Sequence, residues 1–199
     1  MRYAALLIVI ICTAFISFGY PTQSTQAIND YQMLLSKYPQ VRDTPYIWVD
    51  ISEQRLYVKQ RAQTLLSYPI STSKYGIGST QNSYKTPLGI HHVEQKIGSG
   101  APIGTIFKYR QNTNRIAQNL LSETADLITS RILHLKGLEH GANQGPGIDS
   151  YRRCIYIHGT AQESKIGSPA SNGCIRLKNI DMIDLFNRIP IYTLVYISQ

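Results

Sequence analysis

No run of five or more Lys and Arg residues occurs in this chain, although 20 basic against 12 acidic residues leave a formal net charge of +8. No RNA-recognition signature is present either. A basic surface attracts nucleic acid, membranes or acidic polymers. Scattered cations without a motif make nucleic acid the weakest of those partners. There is no internal repeat and no low-complexity tract. Charged residues are only 16% of the chain against 43% hydrophobic residues, which fits a globular domain with a core and speaks against a disordered tail. Sulfur is scarce, with three cysteines at Cys12, Cys154 and Cys174. The 199 residues suit one domain of ordinary size plus a short appendage.

What is present begins at the N-terminus. Arg2 precedes an apolar stretch from Tyr3 to Phe18, with small residues at Ser17 and Gly19. This is the pattern of an export signal over residues 1–19, cleaved after Gly19. The alternative is an uncleaved membrane tether through residues 3–18, since the stretch falls just short of the ~20 residues that span a bilayer. Ile11 stands before Cys12, where a lipid-attachment signal needs a small residue. The expected location is therefore the periplasm or cell envelope, with anchoring to the inner membrane left open. Removing the signal leaves Cys154 and Cys174, and two cysteines in an exported chain admit a disulfide.

Residues 20–44 read as a linker with one short helix, because Ile28, Tyr31, Leu34 and Leu35 recur at helical spacing. From Tyr46 the period changes to two. Tyr46–Ile51 and Arg55–Gln60 read as a hairpin around Ser52-Glu53-Gln54, and Thr64–Ser71 as a third strand. Further strands are expected at Leu88–Val93, Leu127–Leu135, Cys154–His158 and Ile191–Ile197, with a late helix over Ile180–Ile189. Residues 112–126 are polar with weak periodicity. The segments 98–126 and 139–148 have the length and composition of a lid. Fourteen tyrosines and many β-branched runs complete the picture of a mostly β domain, sandwich or barrel-like, over residues 45–199.

Chemistry concentrates near the C-terminus. A strand running to His158-Gly159-Thr160 is followed, 16 residues after His158, by Cys174 within Ser171-Asn172-Gly173-Cys174-Ile175-Arg176. A thiol reacts as its thiolate, and a nearby imidazole can take the proton. On this reading Cys174 is the nucleophile, His158 its base, and the thiol pKa is depressed. The amides of Gly173 and Cys174 could hold a tetrahedral oxyanion. Arg176 shares a strand face with Cys174 and could bind a substrate carboxylate or lower the thiol pKa. Zinc binding by Cys154, His158 and Cys174 is the rival. Four residues of regular strand span about 13 Å, too far for Cys154 and His158 to share a metal. The same distance sets Cys154 apart from the catalytic pair. Simple burial of each residue remains the plain alternative.

The segment from His158 to Arg176 resembles the L,D-transpeptidase (YkuD-type) catalytic domain of bacterial cell-wall enzymes. In that family a His is followed by Ser or Thr, then His, Gly and Cys, often with an apolar residue and Arg after them. Thr86-Pro87-Leu88-Gly89 and the opening hairpin, with Asp50-Ile51 and Arg55–Val58, match as well. Asn172 stands where the family usually has its second His. The resemblance implies a β-sandwich-like fold and a cysteine acyl-enzyme mechanism on peptidoglycan stem peptides. Cys174 would attack the L-centre carbonyl of meso-diaminopimelate in a tetrapeptide donor. His158, oriented by the Gly159 carbonyl, would protonate the leaving D-Ala. An amine acceptor would then form a 3-3 crosslink, in service of cell-wall biogenesis and cell shape. Ser171, Asn172, Gly173 and Arg176 would serve the substrate. No metal or organic cofactor and no nucleic acid is implied, and a monomer is expected. A trimming L,D-carboxypeptidase or a non-catalytic wall-binding relative is the alternative. Sortases space His and Cys far more widely, and papain-like peptidases reverse their order.

Overall fold

The computed structural model describes residues 25–117 and 126–199. The expected signal or anchor at residues 1–19 lies outside the described residues, as does the start of the linker. The first described element is helix α1 (Thr25–Lys37). Its apolar face is the expected one in part: Tyr31 and Leu34 are buried against Val41, Tyr46, Ile90 and Leu194, while Ile28 stays 43% exposed. A 3-10 turn with a proline near its start (Pro39–Arg42) then leads into the sheet. No helix among the described residues is long and apolar enough to cross a membrane.

Among the described residues ten strands follow, with one further α-helix. They are β1 (Tyr46–Asp50), β2 (Arg55–Gln60), β3 (Gln63–Pro69), β4 (Gly89–Ile97), β5 (Thr105–Lys108), β6 (Gln111–Ile116), β7 (Ile128–Gly137), β8 (Tyr156–Thr160) and β9 (Ile175–Leu177), then α2 (Asn179–Arg188) and β10 (Leu194–Ser198). All ten belong to one mixed sheet ordered β3-β2-β1-β10-β4-β7-β5-β6, with β8 on β7 and β9 on β8. β7 forks the sheet because it is long. Its C-terminal half pairs with β4 and its first residues with β5, while β8 takes the opposite edge. Ser130, at φ 62, marks the bulge where the β7–β8 register slips, and such a bulge adds twist and bend.

The bend brings the sheet back on itself. Ser71, just past β3, exchanges two main-chain hydrogen bonds of 2.9 Å with Arg176 in β9. A ring β3-β2-β1-β10-β4-β7-β8-β9 is thereby closed, and closure removes the exposed edges that an open sheet presents. Inward-pointing Ile47, Val49, Leu56, Leu133, Ile157 and Ile175 fill the ring, and Met182, Leu185 and Phe186 of α2 pack against them. Each such side chain contributes about 1.5–3 kcal/mol by leaving water. The barrel-like, mostly β reading with a late helix is the observed fold.

Several boundaries differ from the sequence reading: β4 runs on past Val93 to Ile97, and the closing strand starts at Leu194 and not at Ile191. β5 and β6 form a hairpin where only weak periodicity was visible. β6 is polar and almost wholly exposed, so no buried face imposes alternation on it. Its turn residues Tyr109 and Arg110 both have positive φ, 50° and 66°, without the Asn-Gly signal that usually advertises such a turn. The strand expected from Cys154 starts two residues later. Cys154 sits in a turn at φ 58.

Candidate active site

β8 and β9 run parallel, with Ile157 beside Ile175, His158 beside Arg176 and Gly159 beside Leu177. Side chains alternate between faces. Ile157, Ile175 and Leu177 enter the core, so Tyr156, His158, Cys174 and Arg176 fall on the other face. His158 and Cys174 are diagonal neighbours across the pair, within side-chain reach.

The His158 ring is only 3% exposed. Its Nδ1 lies 2.7 Å from the Gly159 carbonyl oxygen. A carbonyl only accepts, so Nδ1 carries the proton and Nε2 keeps its lone pair. Gly159 is required there, since a Cβ would come within 2.7 Å of both the Thr129 carbonyl oxygen and Asn179 Oδ1. Burial lowers the imidazole pKa. The Gly159 carbonyl and Asp126 act upward against it, and Arg176 downward.

The Cys174 sulfur accepts a hydrogen bond from the Tyr156 amide at 3.4 Å and donates one to the Cys154 carbonyl at 3.4 Å. Burial is the main reason its pKa is pushed up to about 12; the Tyr156 amide and Arg176 act in the opposite direction. The expected depressed thiol pKa is therefore wrong for the resting site. With the thiol raised and the imidazole lowered, both groups rest neutral.

The segment before Cys174 is tied down on three sides. Ser171 Oγ accepts from the Gly173 amide at 3.2 Å and donates to the Cys174 carbonyl at 2.6 Å. Thr86, from the Thr-Pro-x-Gly segment, donates to the Gly173 carbonyl at 3.0 Å. Gly173 itself adopts φ 116, a glycine conformation. Its amide is thus occupied, and only the Cys174 amide makes no hydrogen bond among the described residues. Asn172 is exposed and donates to Asp126 Oδ2 at 3.0 Å.

Arg176 is fully buried and already engaged. Its guanidinium binds Asp126 Oδ1 and Gln162 Oε1, both at 2.8 Å, and Ser71 Oγ at 3.0 Å. The expected guanidinium facing a substrate carboxylate is not what the structure presents. Arg176 instead organises the floor beneath His158. Asp126, which bridges Arg176 and Asn172, was not found by sequence reasoning, and no local pattern marks it. Asn179 was missed as well. It accepts from Thr129 Oγ1 at 2.6 Å and donates to the Thr160 carbonyl at 2.7 Å, bracing Gly159. Its place at the start of a helix, where polar residues gather, was the available signal.

Cys154 also needs correction. A regular strand through residue 154 would hold Cys154 away from the catalytic pair, but the chain is not extended there. The turn there folds its carbonyl onto the Cys174 thiol, so Cys154 borders the site. Both cysteines are free. Among the described residues no group of three His, Cys, Asp or Glu side chains could hold a metal.

A buried histidine and a cysteine side by side on adjacent strands of a closed mixed sheet define a class of thiol-bearing β domains. Residues 44–197 match the family described as the L,D-transpeptidase catalytic domain, YkuD. The chain belongs to this family. A candidate L,D-transpeptidase of Bacillus subtilis (strain 168), YqjB, is 48% identical over 47 residues, which cover 24% of this chain and 27% of that protein. The chain thus aligns with about a quarter of that relative. Among solved structures, an L,D-transpeptidase from Mycobacterium smegmatis is 15% identical with a TM-score of 0.47, covering 78% of this chain and 58% of that one. The L,D-transpeptidase of Xylanimonas cellulosilytica is 19% identical with a TM-score of 0.44, covering 84% and 68%.

Proposed function

We propose that this protein is an exported peptidoglycan L,D-transpeptidase working through a Cys174 thioester. The observation that carries the reading is the fixed tautomer of His158. With Nδ1–H held by Gly159, the free Nε2 lone pair is on the face it shares with Cys174. A donor tetrapeptide stem enters, and the thiol proton turns from the Cys154 carbonyl to Nε2 as sulfur attacks the L-centre carbonyl of diaminopimelate. Because both groups rest neutral, proton transfer and attack proceed together, without a standing thiolate. The open Cys174 amide donates to the developing oxyanion. Imidazolium returns its proton to the departing D-Ala amine. An acceptor amine then attacks the thioester and loses its proton to His158; the C–S bond breaks, the crosslink amide forms, and the departing Cys174 sulfur takes the proton back from the imidazolium. This chemistry belongs in the periplasm or envelope, with residues 3–18 as signal or tether. No cofactor takes part.

The test is mass spectrometry of disaccharide-tetrapeptides incubated with the purified protein. A covalent adduct on Cys174 with loss of D-Ala, and dimers with a 3-3 linkage, are expected. Hydrolysed tripeptide alone would replace transfer with trimming, and no adduct at all would refute the enzyme reading.

The pH profile gives a second prediction. His158 must be neutral to accept the proton, and burial holds its pKa below the usual imidazole value. The acid limb of kcat/KM should therefore lie below the ordinary value of about 6.5. An acid limb at pH 7 or above would assign the limb to another group.

A further inference from the structure

The β5–β6 hairpin overhangs a cavity of about 670 Å³, within the usual range of roughly 300–1,000 Å³ for small-ligand sites. Cys154 and Tyr156 form part of its wall. The Cys174 sulfur touches the main chain of the same two residues, the Tyr156 amide and the Cys154 carbonyl. The cavity and the nucleophile are thus separated by one stretch of backbone.

The charge of this cavity is lopsided. Among the described residues, Lys108, Arg110 and Arg115 line it, against a single carboxylate at Asp126. That carboxylate is already held by Arg176 and Asn172. None of the three cations forms an ion pair among the described residues. Arg110 is the one turned toward the nucleophile. From the hairpin turn its Nη1 reaches back to the Tyr156 hydroxyl at 3.3 Å and the Cys154 sulfur at 3.6 Å. Both partners are neutral or weak, and the remaining N–H donors of the guanidinium are open. A guanidinium at an apolar wall pairs with a carboxylate through two parallel hydrogen bonds.

We infer that Arg110 is a specificity-determining residue: it holds a free carboxylate of the peptide substrate in the cavity beside Cys174. The inference rests on the transpeptidase reading and names a feature of the substrate that reading leaves open. A stem in which that carboxylate is amidated loses the charge, and the amide nitrogen faces a donor instead of offering an acceptor.

The experiment compares the full-acid tetrapeptide with three probes. Each probe is amidated at one carboxyl: the D-Glu α-carboxyl, the diaminopimelate side-chain carboxyl, or the terminal D-Ala. For the wild-type protein, one of the three amides should lower kcat/KM about tenfold, mainly through KM. Arg110→Gln should lose about the same factor on the full acid and no longer distinguish it from that amide. Arg110→Lys should recover part of the preference, because it restores charge without the planar fork. Arg110 is exposed at a hairpin turn, so a thermal melt should show both variants folded. If Arg110→Gln keeps the wild-type preference across all four probes, the inference is overturned. If the wild-type protein forms no adduct with any probe, the transpeptidase reading itself fails.

Discussion

Cys174→Ala is expected to abolish both the adduct and the crosslinked product, lowering turnover by a factor on the order of 10⁴ or more. The fold should survive. The substitution leaves the Tyr156 amide, now bonded to sulfur at 3.4 Å, without an acceptor. An unpaired buried donor costs about 1–3 kcal/mol, or a melting shift of about 2–12 °C for a domain of this size. The control is Cys154→Ser. Cys154 serves the site through its carbonyl, which any side chain there retains, so this variant should keep activity within a few fold. The comparison matters because the two cysteines are neighbours. Persistent crosslinking by Cys174→Ala, lost in Cys154→Ser, would transfer the nucleophile to Cys154. Mass spectrometry of the trapped adduct on each variant decides between them.

The legible part of this site is the part built by short-range pattern. His158 in β8 and Cys174 at the start of β9 are flanked by apolar residues at alternate positions, so the sequence alone places the two on one face. Gly173 could be singled out because it meets a backbone need that only glycine satisfies, and Gly159 because its carbonyl directly follows His158. The illegible part depends on contacts between distant segments. Asp126 lies 50 residues from Arg176 and ends a polar stretch with no period. Arg176 looks like a substrate ligand in sequence because nothing local reveals that its charge is met. The thiol pKa fails for the same reason. A Cys–His pairing suggests a thiolate, but burial by residues from β7, β8 and the turn at Cys154 raises the cost of that charge. At the level of fold, the hairpin β1–β2 announces itself by alternation, whereas β6 is exposed on both faces and carries no such mark. Cys154 was misplaced because apolar neighbours imply strand, while its backbone turns left-handed.

The Arg176–Asp126 pair yields the largest stability effect, and its two halves are not equivalent. Arg176 is 0% exposed and Asp126 28% exposed in their side chains. Asp126→Asn keeps the shape but leaves a fully buried cation facing only Gln162, Ser71 and an amide, with its Nε already lacking a partner. Breaking a buried pair in this way costs about 3–5 kcal/mol. The partial exposure of Asp126 argues for the lower end, a melting shift of about 6–12 °C. Arg176→Met removes the buried charge itself, and Asp126 can turn to water, so this variant should lose less, about 1–3 kcal/mol. Ring closure is untouched in both, since Ser71 pairs with the main chain of residue 176. The order of the two losses in thermal or urea unfolding is the measurement. Equal or reversed losses would mean that Arg176 is held by its neutral partners and that Asp126 is incidental. Activity adds an independent sign. Asp126 acts to raise the His158 pKa, so the folded Asp126→Asn protein should carry its acid limb to still lower pH than wild type. A limb displaced upward would separate Asp126 from the histidine altogether.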